Sequence, residues 1–270
     1  DFVTAPELSP LFGAALARQV TQALVASGTD EVFEFGAGSG ALAEQLLQAL
    51  DPAYRPDSQQ DAAPTFPLRE SDHRSAEALL RSAAIIASNT KPIIVHAGSA
   101  VTALAAAKRW PPKRYNQLLR TLSQITGRQI IIIEGPDEAG LADEILQVEP
   151  VPNVGIVRLQ GNLGTSAALL QRAVLYIGSD SGLAHLAAVV GTPPVTLFGP
   201  ADPERMCPFG YRHLVVQART QTCRACNPYP WQARSPKITC EHGYTCMRDI
   251  TTDDILEKAM PLLQNDGHNP

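Results

Sequence analysis

Val174-Leu175-Tyr176-Ile177-Gly178-Ser179-Asp180-Ser181-Gly182-Leu183-Ala184-His185 is an apolar run that ends in an acid, two hydroxyls and a glycine, then takes up a helical period. An apolar run that stops at small polar residues and continues at helix spacing is the β-to-α step of a parallel sheet. The pattern recurs on both sides. Apolar strands read at Ile93 to His96, Gln129 to Ile133, Gly155 to Leu159, Val174 to Ile177 and Pro194 to Phe198. Helix-length stretches read at Ser75 to Ser88, Pro112 to Thr126, Glu138 to Val148, Thr165 to Arg172, Gly182 to Val190 and Thr252 to Leu263. The alternation predicts an α/β fold with a Rossmann-like, mostly parallel sheet and helices on both faces. Ligands of such sheets bind beyond the carboxyl ends of the strands, so the residues that follow each strand are the candidates for function.

The chain of 270 residues is 44% hydrophobic and 18% charged, enough to bury a substantial core. With 22 Lys and Arg against 27 Asp and Glu, the net charge is −5 and no long basic run occurs, which argues against a nucleic-acid partner. Apolar stretches are broken by proline and glycine, so no membrane span is expected. No basic segment followed by an apolar one opens the sequence, and the expected compartment is the cytoplasm. Pro52, Pro56, Pro64 and Pro67 flank the polar run Asp57-Ser58-Gln59-Gln60-Asp61, marking a linker at 53–74 between a short piece, 1–52, and the α/β region, 75–270. In the short piece a helix that starts at Ser9-Pro10 and is ended by Ser27-Gly28, and a strand at Glu31 to Phe35, precede Gly36, Gly38 and Gly40 and a second helix to about Leu50. That order suits a cofactor approached by helix-end amides, or a tight turn and nothing more.

After the first strand of the α/β region, His96-Ala97-Gly98-Ser99 is a small-residue turn, and Lys108-Arg109-Trp110-Pro111 opens the next helix. Turn amides, the Ser99 hydroxyl and the Lys108 or Arg109 charge together suit a diphosphate; a solvated basic pair with Trp110 packed on the sheet fits as well. Glu138 could accept from ribose hydroxyls, or serve as an acid at a helix start. Asp180, Ser181 and Gly182 form a helix N-terminus where sugar hydroxyls and phosphate oxygens find donors, while Asp180 could also be the N-cap. His185 could donate to a diphosphate or pack against its helix. All five cysteines follow residue 206. Cys223, Cys226, Cys240 and Cys246, bounding a loop at 223–246, have a spacing that could hold Zn²⁺ between four thiolates; free thiols are the alternative, and two disulfides require an oxidising setting.

Taken together, His96-Ala97-Gly98-Ser99, Lys108-Arg109-Trp110-Pro111, Gly135-Pro136-Asp137-Glu138, Asp180-Ser181-Gly182-Leu183-Ala184-His185, Gly191-Thr192-Pro193 and Leu197-Phe198-Gly199-Pro200-Ala201-Asp202-Pro203 resemble the ADP-heptose:lipopolysaccharide heptosyltransferases of glycosyltransferase family nine. The resemblance runs from about residue 75 to the end. It implies the C-terminal, nucleotide-sugar half of a GT-B enzyme that moves heptose from ADP-heptose to a lipopolysaccharide core with inversion, without a cofactor for the transfer. It further implies phosphate contact by Lys108, ribose contact by Glu138, sugar contact by Asp180, and a diphosphate near Ser181 and Gly182. The site would lie in the cytoplasm at the inner face of the inner membrane, with peripheral contact.

Residues 1–10 and Glu34-Phe35-Gly36-Ala37-Gly38-Ser39-Gly40 resemble MidA-type methyltransferases over about the first 50 residues. That family's later strands do not follow, so S-adenosylmethionine is not expected to bind. The glycosyltransferase family's aspartate base belongs to its N-terminal half, so no catalytic residue is assigned. The chain therefore reads as a junction of two genes, a truncated frame or a designed chimera, expected by itself to bind the donor without turnover.

Overall fold

The computed structural model describes residues 10–29, 32, 41–50, 66–83, 85, 90–99, 107–219, 240 and 242–265. The chain divides into two units, Asp1–Pro64 and Thr65–Pro270. In the first, helix α1 (Pro10–Ser27) begins at a proline, whose fixed φ suits a first helical turn. It ends where Gly28 takes φ +66° and returns its amide to Leu24. Helix α2 (Ala41–Ala49) follows, and Ala17, Leu46 and Leu50 form a small buried cluster. Gly36, Gly38, Gly40 and all of the expected strand except Val32 lie outside the described residues.

The second unit begins with α3 (Glu70–Ser82), ahead of the expected start at Ser75. The reason is local: the Asp72 carboxylate accepts the Arg69 amide at 2.9 Å and starts the helix there. Then come β1 (Ile93–His96), α4 (Pro112–Thr126), β2 (Ile130–Glu134), α5 (Leu141–Val148), β3 (Val154–Arg158), α6 (Leu163–Gln171) and β4 (Leu175–Ser179). The chain continues through α7 (Gly182–Val189), β5 (Pro194–Leu197), α8 (Pro203–Met206), β6 (Val215–Val216), α9 (Thr245–Arg248) and α10 (Thr252–Asn265). The helix expected from Glu138 is instead a 3₁₀ turn, Pro136–Glu138, followed by α5, because Gly140 at φ +95° breaks the backbone between them. The two-residue β6 is too short to leave a period in the sequence.

All strands pair in parallel, in the order β3-β2-β1-β4-β5-β6. The isoleucines of β2 show what holds the sheet. Ile130 and Ile132 enter one core with Leu118, Leu122, Ile145 and Ile255, while Ile131 and Ile133 enter the other with Ala76, Ala168 and Leu170. A strand covered on both faces must be apolar at every position, and each such side chain contributes about 1.5–3 kcal/mol by leaving water. From β1 the chain crosses to β2 on one side, and from β4 to β5 on the other. The strand order thus reverses between the neighbours β1 and β4, and in a doubly wound sheet that leaves a crevice at their carboxyl ends. Among the described residues no helix is long and apolar enough to cross a membrane.

Candidate functional site at the carboxyl edge of the sheet

His96 ends β1 with 3% of its surface exposed. Its Nε2 lies 2.8 Å from Glu138 Oε2, and its Nδ1 lies 3.2 Å from the Tyr176 hydroxyl and 3.4 Å from Ser181 Oγ. Tyr176 and Ser181 are themselves 3.3 Å apart. A carboxylate only accepts, so the His96 ring directs an Nε2–H at Glu138, while Nδ1 faces the two hydroxyls. Gly178 makes this arrangement possible, since a Cβ there would stand 2.6 Å from the Tyr176 hydroxyl. On the opposite face the Tyr115 hydroxyl bridges His96 O at 3.5 Å and Ser179 Oγ at 3.4 Å. Burial pushes both tyrosines far above their ordinary pKa, so they act as neutral hydroxyls.

Glu138 Oε2 also accepts the Gly135 amide at 2.9 Å. The carboxylate rests directly over Gly98, where a Cβ would fall 2.0 Å from Glu138 Cδ. Burial raises the Glu138 pKa. The His96 hydrogen bond and charge, the Gly135 amide and the Arg109 guanidinium outweigh it and hold the group below its usual value.

Lys108 Nζ donates to Asp180 Oδ2 at 2.5 Å, with side-chain exposures of 13% and 5%. Arg109 folds back on the β1 turn, donating to Ser99 O at 3.1 Å and lying 3.4 Å from Ser99 Oγ. Trp110 anchors both cations: its indole donates to Ile250 O at 3.0 Å and stands edge-on to Tyr115. The packed tryptophan of the plainer reading is therefore present, but the basic pair beside it faces the turn and the acid. Asp180 is not the N-cap. Ser181 holds that place at φ −155°, and its hydroxyl faces Tyr176 and His96 instead of capping the first-turn amides. The cap position falls to Ser181 because the Asp180 amide is still tied to Leu197 O at 3.2 Å. Gly182 opens α7 with no atom within 4 Å of a Cβ placed on it. His185, one turn on, is exposed. Desolvation lowers its pKa and the Lys108 charge adds to this, while Asp180 and a hydrogen bond to the Met206 backbone oppose it.

Of the residues singled out in the sequence, Gly98, Ser99, Lys108, Glu138, Asp180 and Ser181 thus line the carboxyl ends of β1, β2 and β4, with Gly182 and His185 on the first turn of α7. The sequence reading placed His96 at a ligand-facing turn without a partner, and it missed Tyr115, Tyr176 and Gly178. A large polar residue followed two places later by glycine in an otherwise apolar strand is the signal for Tyr176 and Gly178, since both share one strand face. Cys223 and Cys226 lie outside the described residues. Cys246 is buried against Gly199, and Cys240 Sγ accepts the Tyr244 amide at 3.3 Å. Among the described residues no three His, Cys, Asp or Glu side chains are grouped to hold a metal ion.

Residues 44–232 match glycosyltransferase family 9 (heptosyltransferase). Lipooligosaccharide heptosyltransferase 2 of Campylobacter jejuni is 28% identical over 185 residues, which are 64% of this chain and 54% of that protein. A glycosyltransferase family 9 structure from Veillonella parvula superposes with a TM-score of 0.62 at 20% identity, over 87% of this chain and 62% of that one. The structure of Escherichia coli ADP-heptose lps heptosyltransferase II gives 0.61 at 20% identity, over 84% and 62%. The chain spans about half the length, or less, of the curated relatives it matches. The methyltransferase resemblance of the first 50 residues gains no support, and the family match begins inside that stretch, at residue 44.

Proposed function

The chain belongs to glycosyltransferase family 9 (heptosyltransferase), and from that premise we propose that its sheet unit is the donor half of an inverting sugar transferase, taking ADP-heptose and serving a lipopolysaccharide core acceptor. The observation that carries this is the convergence of Lys108, Glu138, Asp180 and the α7 N-terminus on one crevice at the strand-order reversal. Glu138 accepts from the ribose hydroxyls, Lys108 and the first-turn amides of α7 meet the diphosphate, and Asp180 accepts from hydroxyls of the sugar. In the transfer, an acceptor hydroxyl attacks the anomeric carbon from the face opposite the diphosphate, the bond from that carbon to the phosphate oxygen breaks, and ADP leaves with the electron pair. The charge that gathers on the diphosphate is stabilised by Lys108, the α7 dipole and the Ser99 turn, donors already in place before reaction. No residue described here is assigned the base that takes the acceptor proton.

The acceptor places the reaction at the cytoplasmic face of a membrane, reached by peripheral contact. Cys223, Cys226, Cys240 and Cys246 are proposed to bind a structural zinc. The amide-to-sulfur hydrogen bond at Cys240 is of the kind a thiolate ligand accepts, and about one equivalent of zinc in the purified protein, lost in Cys246→Ser, would bear this out. The donor reading is tested by calorimetric titration with ADP. Wild type binds, and Lys108→Ala weakens binding by roughly tenfold or more, the scale of one charge-assisted contact. Absence of binding to wild type would overturn it.

A further inference from the structure

We propose that His96 is a positioning residue that makes the crevice selective for ribose over deoxyribose, by holding the Glu138 carboxylate through its Nε2–H. The inference rests on the donor reading above, in which Glu138 meets the ribose. A flexible glutamate could follow either nucleotide, losing one hydrogen bond and finding water. This one is not flexible. Oε2 is taken by His96 at 2.8 Å and by the Gly135 amide at 2.9 Å, while among the described residues Oε1 accepts no hydrogen bond. The pair is also buried, with side-chain exposures of 3% and 7%. A fixed acceptor that loses one of its hydroxyl donors cannot turn to another partner. For that reason a built hydrogen-bond site discriminates strongly against a ligand lacking the hydroxyl.

The other side of the ring keeps it in register. Tyr176 and Ser181 meet Nδ1 from the neighbouring strand and from the start of α7, so His96 cannot turn to release Glu138 without breaking two further contacts. A histidine that merely filled space would need neither set of partners.

The experiment compares ADP with 2′-deoxy-ADP by calorimetry in wild type and three variants, Glu138→Gln, His96→Gln and His96→Asn, with urea unfolding of each. Glutamine places an N–H near the histidine Nε2 position, whereas asparagine reaches only the Nδ1 position. Wild type is expected to prefer ADP by roughly tenfold or more, the worth of one hydrogen bond to a charged group. His96→Gln retains most of that ratio; His96→Asn and Glu138→Gln bring it close to one. A loss of folding alone would weaken both ligands equally and leave the ratio unchanged. If Glu138→Gln abolishes the preference while His96→Asn keeps it, or if both His96 variants lose it together, the inference falls and the donor reading stands. If wild type binds ADP and 2′-deoxy-ADP equally, the ribose role of Glu138 is refuted as well. A second measurement needs no variant: ¹⁵N spectra of labelled histidine should show the His96 proton on Nε2, and a proton on Nδ1 alone would overturn the proposal.

Discussion

Glu138 sits in a box of fixed partners, the His96 ring, the Gly135 amide and the bare α-carbon of Gly98, whereas Asp180, across the same crevice, is met by the end of one long lysine side chain. Both are buried acids at the carboxyl edge of the sheet. The difference lies in what moves when a ligand arrives. The Glu138 wall is built from backbone and a ring with few rotatable bonds, so it offers an acceptor whose orientation costs nothing further on binding. The Asp180 wall is a closed ion pair. An arriving diphosphate competes for the Lys108 ammonium, and sharing that cation leaves the Asp180 carboxylate available to hydroxyl donors.

The sharpest break of this contrast is Gly98→Ala. A methyl group 2.0 Å from Glu138 Cδ cannot coexist with the carboxylate, so Glu138 must leave and His96 Nε2–H loses its acceptor in a buried place. Expected are about 2–4 kcal/mol of lost stability in urea unfolding, from one unsatisfied buried donor plus strain, and loss of measurable ADP binding. A Gly98→Ala protein as stable as wild type would mean that the Glu138 wall yields as readily as the other.

Lys108→Met should cost less in folding, about 1–3 kcal/mol, because a single carboxylate that is 5% exposed loses its counter-charge. Adding Asp180→Asn should restore most of that stability without restoring ADP binding. Asp180→Asn by itself separates the walls further. With the acid neutralised, Lys108 is no longer shared, and ADP itself should bind a few-fold tighter, roughly the 1 kcal/mol scale of a partly screened charge pair. The equivalent change at the other wall, Glu138→Gln, should weaken ADP binding. Two affinities that move in the same direction would mean that the two walls respond alike.

The uneven legibility of the sequence follows from the same contrast. α4 begins at Pro112 and ends at Thr126, the bounds its period predicts, and β1 to β5 fall within a residue or two of theirs; for β1, β2, β4 and β5 the reason is burial on both faces, which keeps a strand mostly apolar, while the half-buried edge strand β3 is legible from Val154, Ile156 and Val157. Lys108 and Asp180 were visible as residue types at a turn and a strand end. The join between His96 and Glu138 was not, since 42 residues separate them and their meeting depends on the register of β1 against β2 and on the 3₁₀ turn after Gly135. Tyr176 was read as one more apolar strand position. Only the space left by Gly178 lets its hydroxyl reach the edge. The Asp180 cap failed for a related reason: the pairing of β4 with β5 carries the strand two residues beyond Ile177, where its apolar run ends.

The smallest expected effect lies in the acid range and reports the Glu138 wall alone. Its carboxyl is held below the ordinary value of 4.5, so near and below that pH the folded protein binds fewer protons at this site than the unfolded chain does. Stability then rises with pH across the interval. The contribution is fully present above pH 4.5 and is lost as pH falls through the lower folded value. Glu138→Gln removes the titration but keeps the shape of the side chain. The stability difference between wild type and this variant, from urea unfolding at half-unit steps between pH 6 and pH 3, should stay constant above about pH 5 and shrink below it. Since His96 and Glu138 share one hydrogen bond, the slope belongs to the pair, and His96→Asn should flatten it while His96→Gln preserves it in part. A difference that stays constant down to pH 3 would mean that the carboxyl is not held by its neighbours in solution, and the contrast between the two walls would go with it.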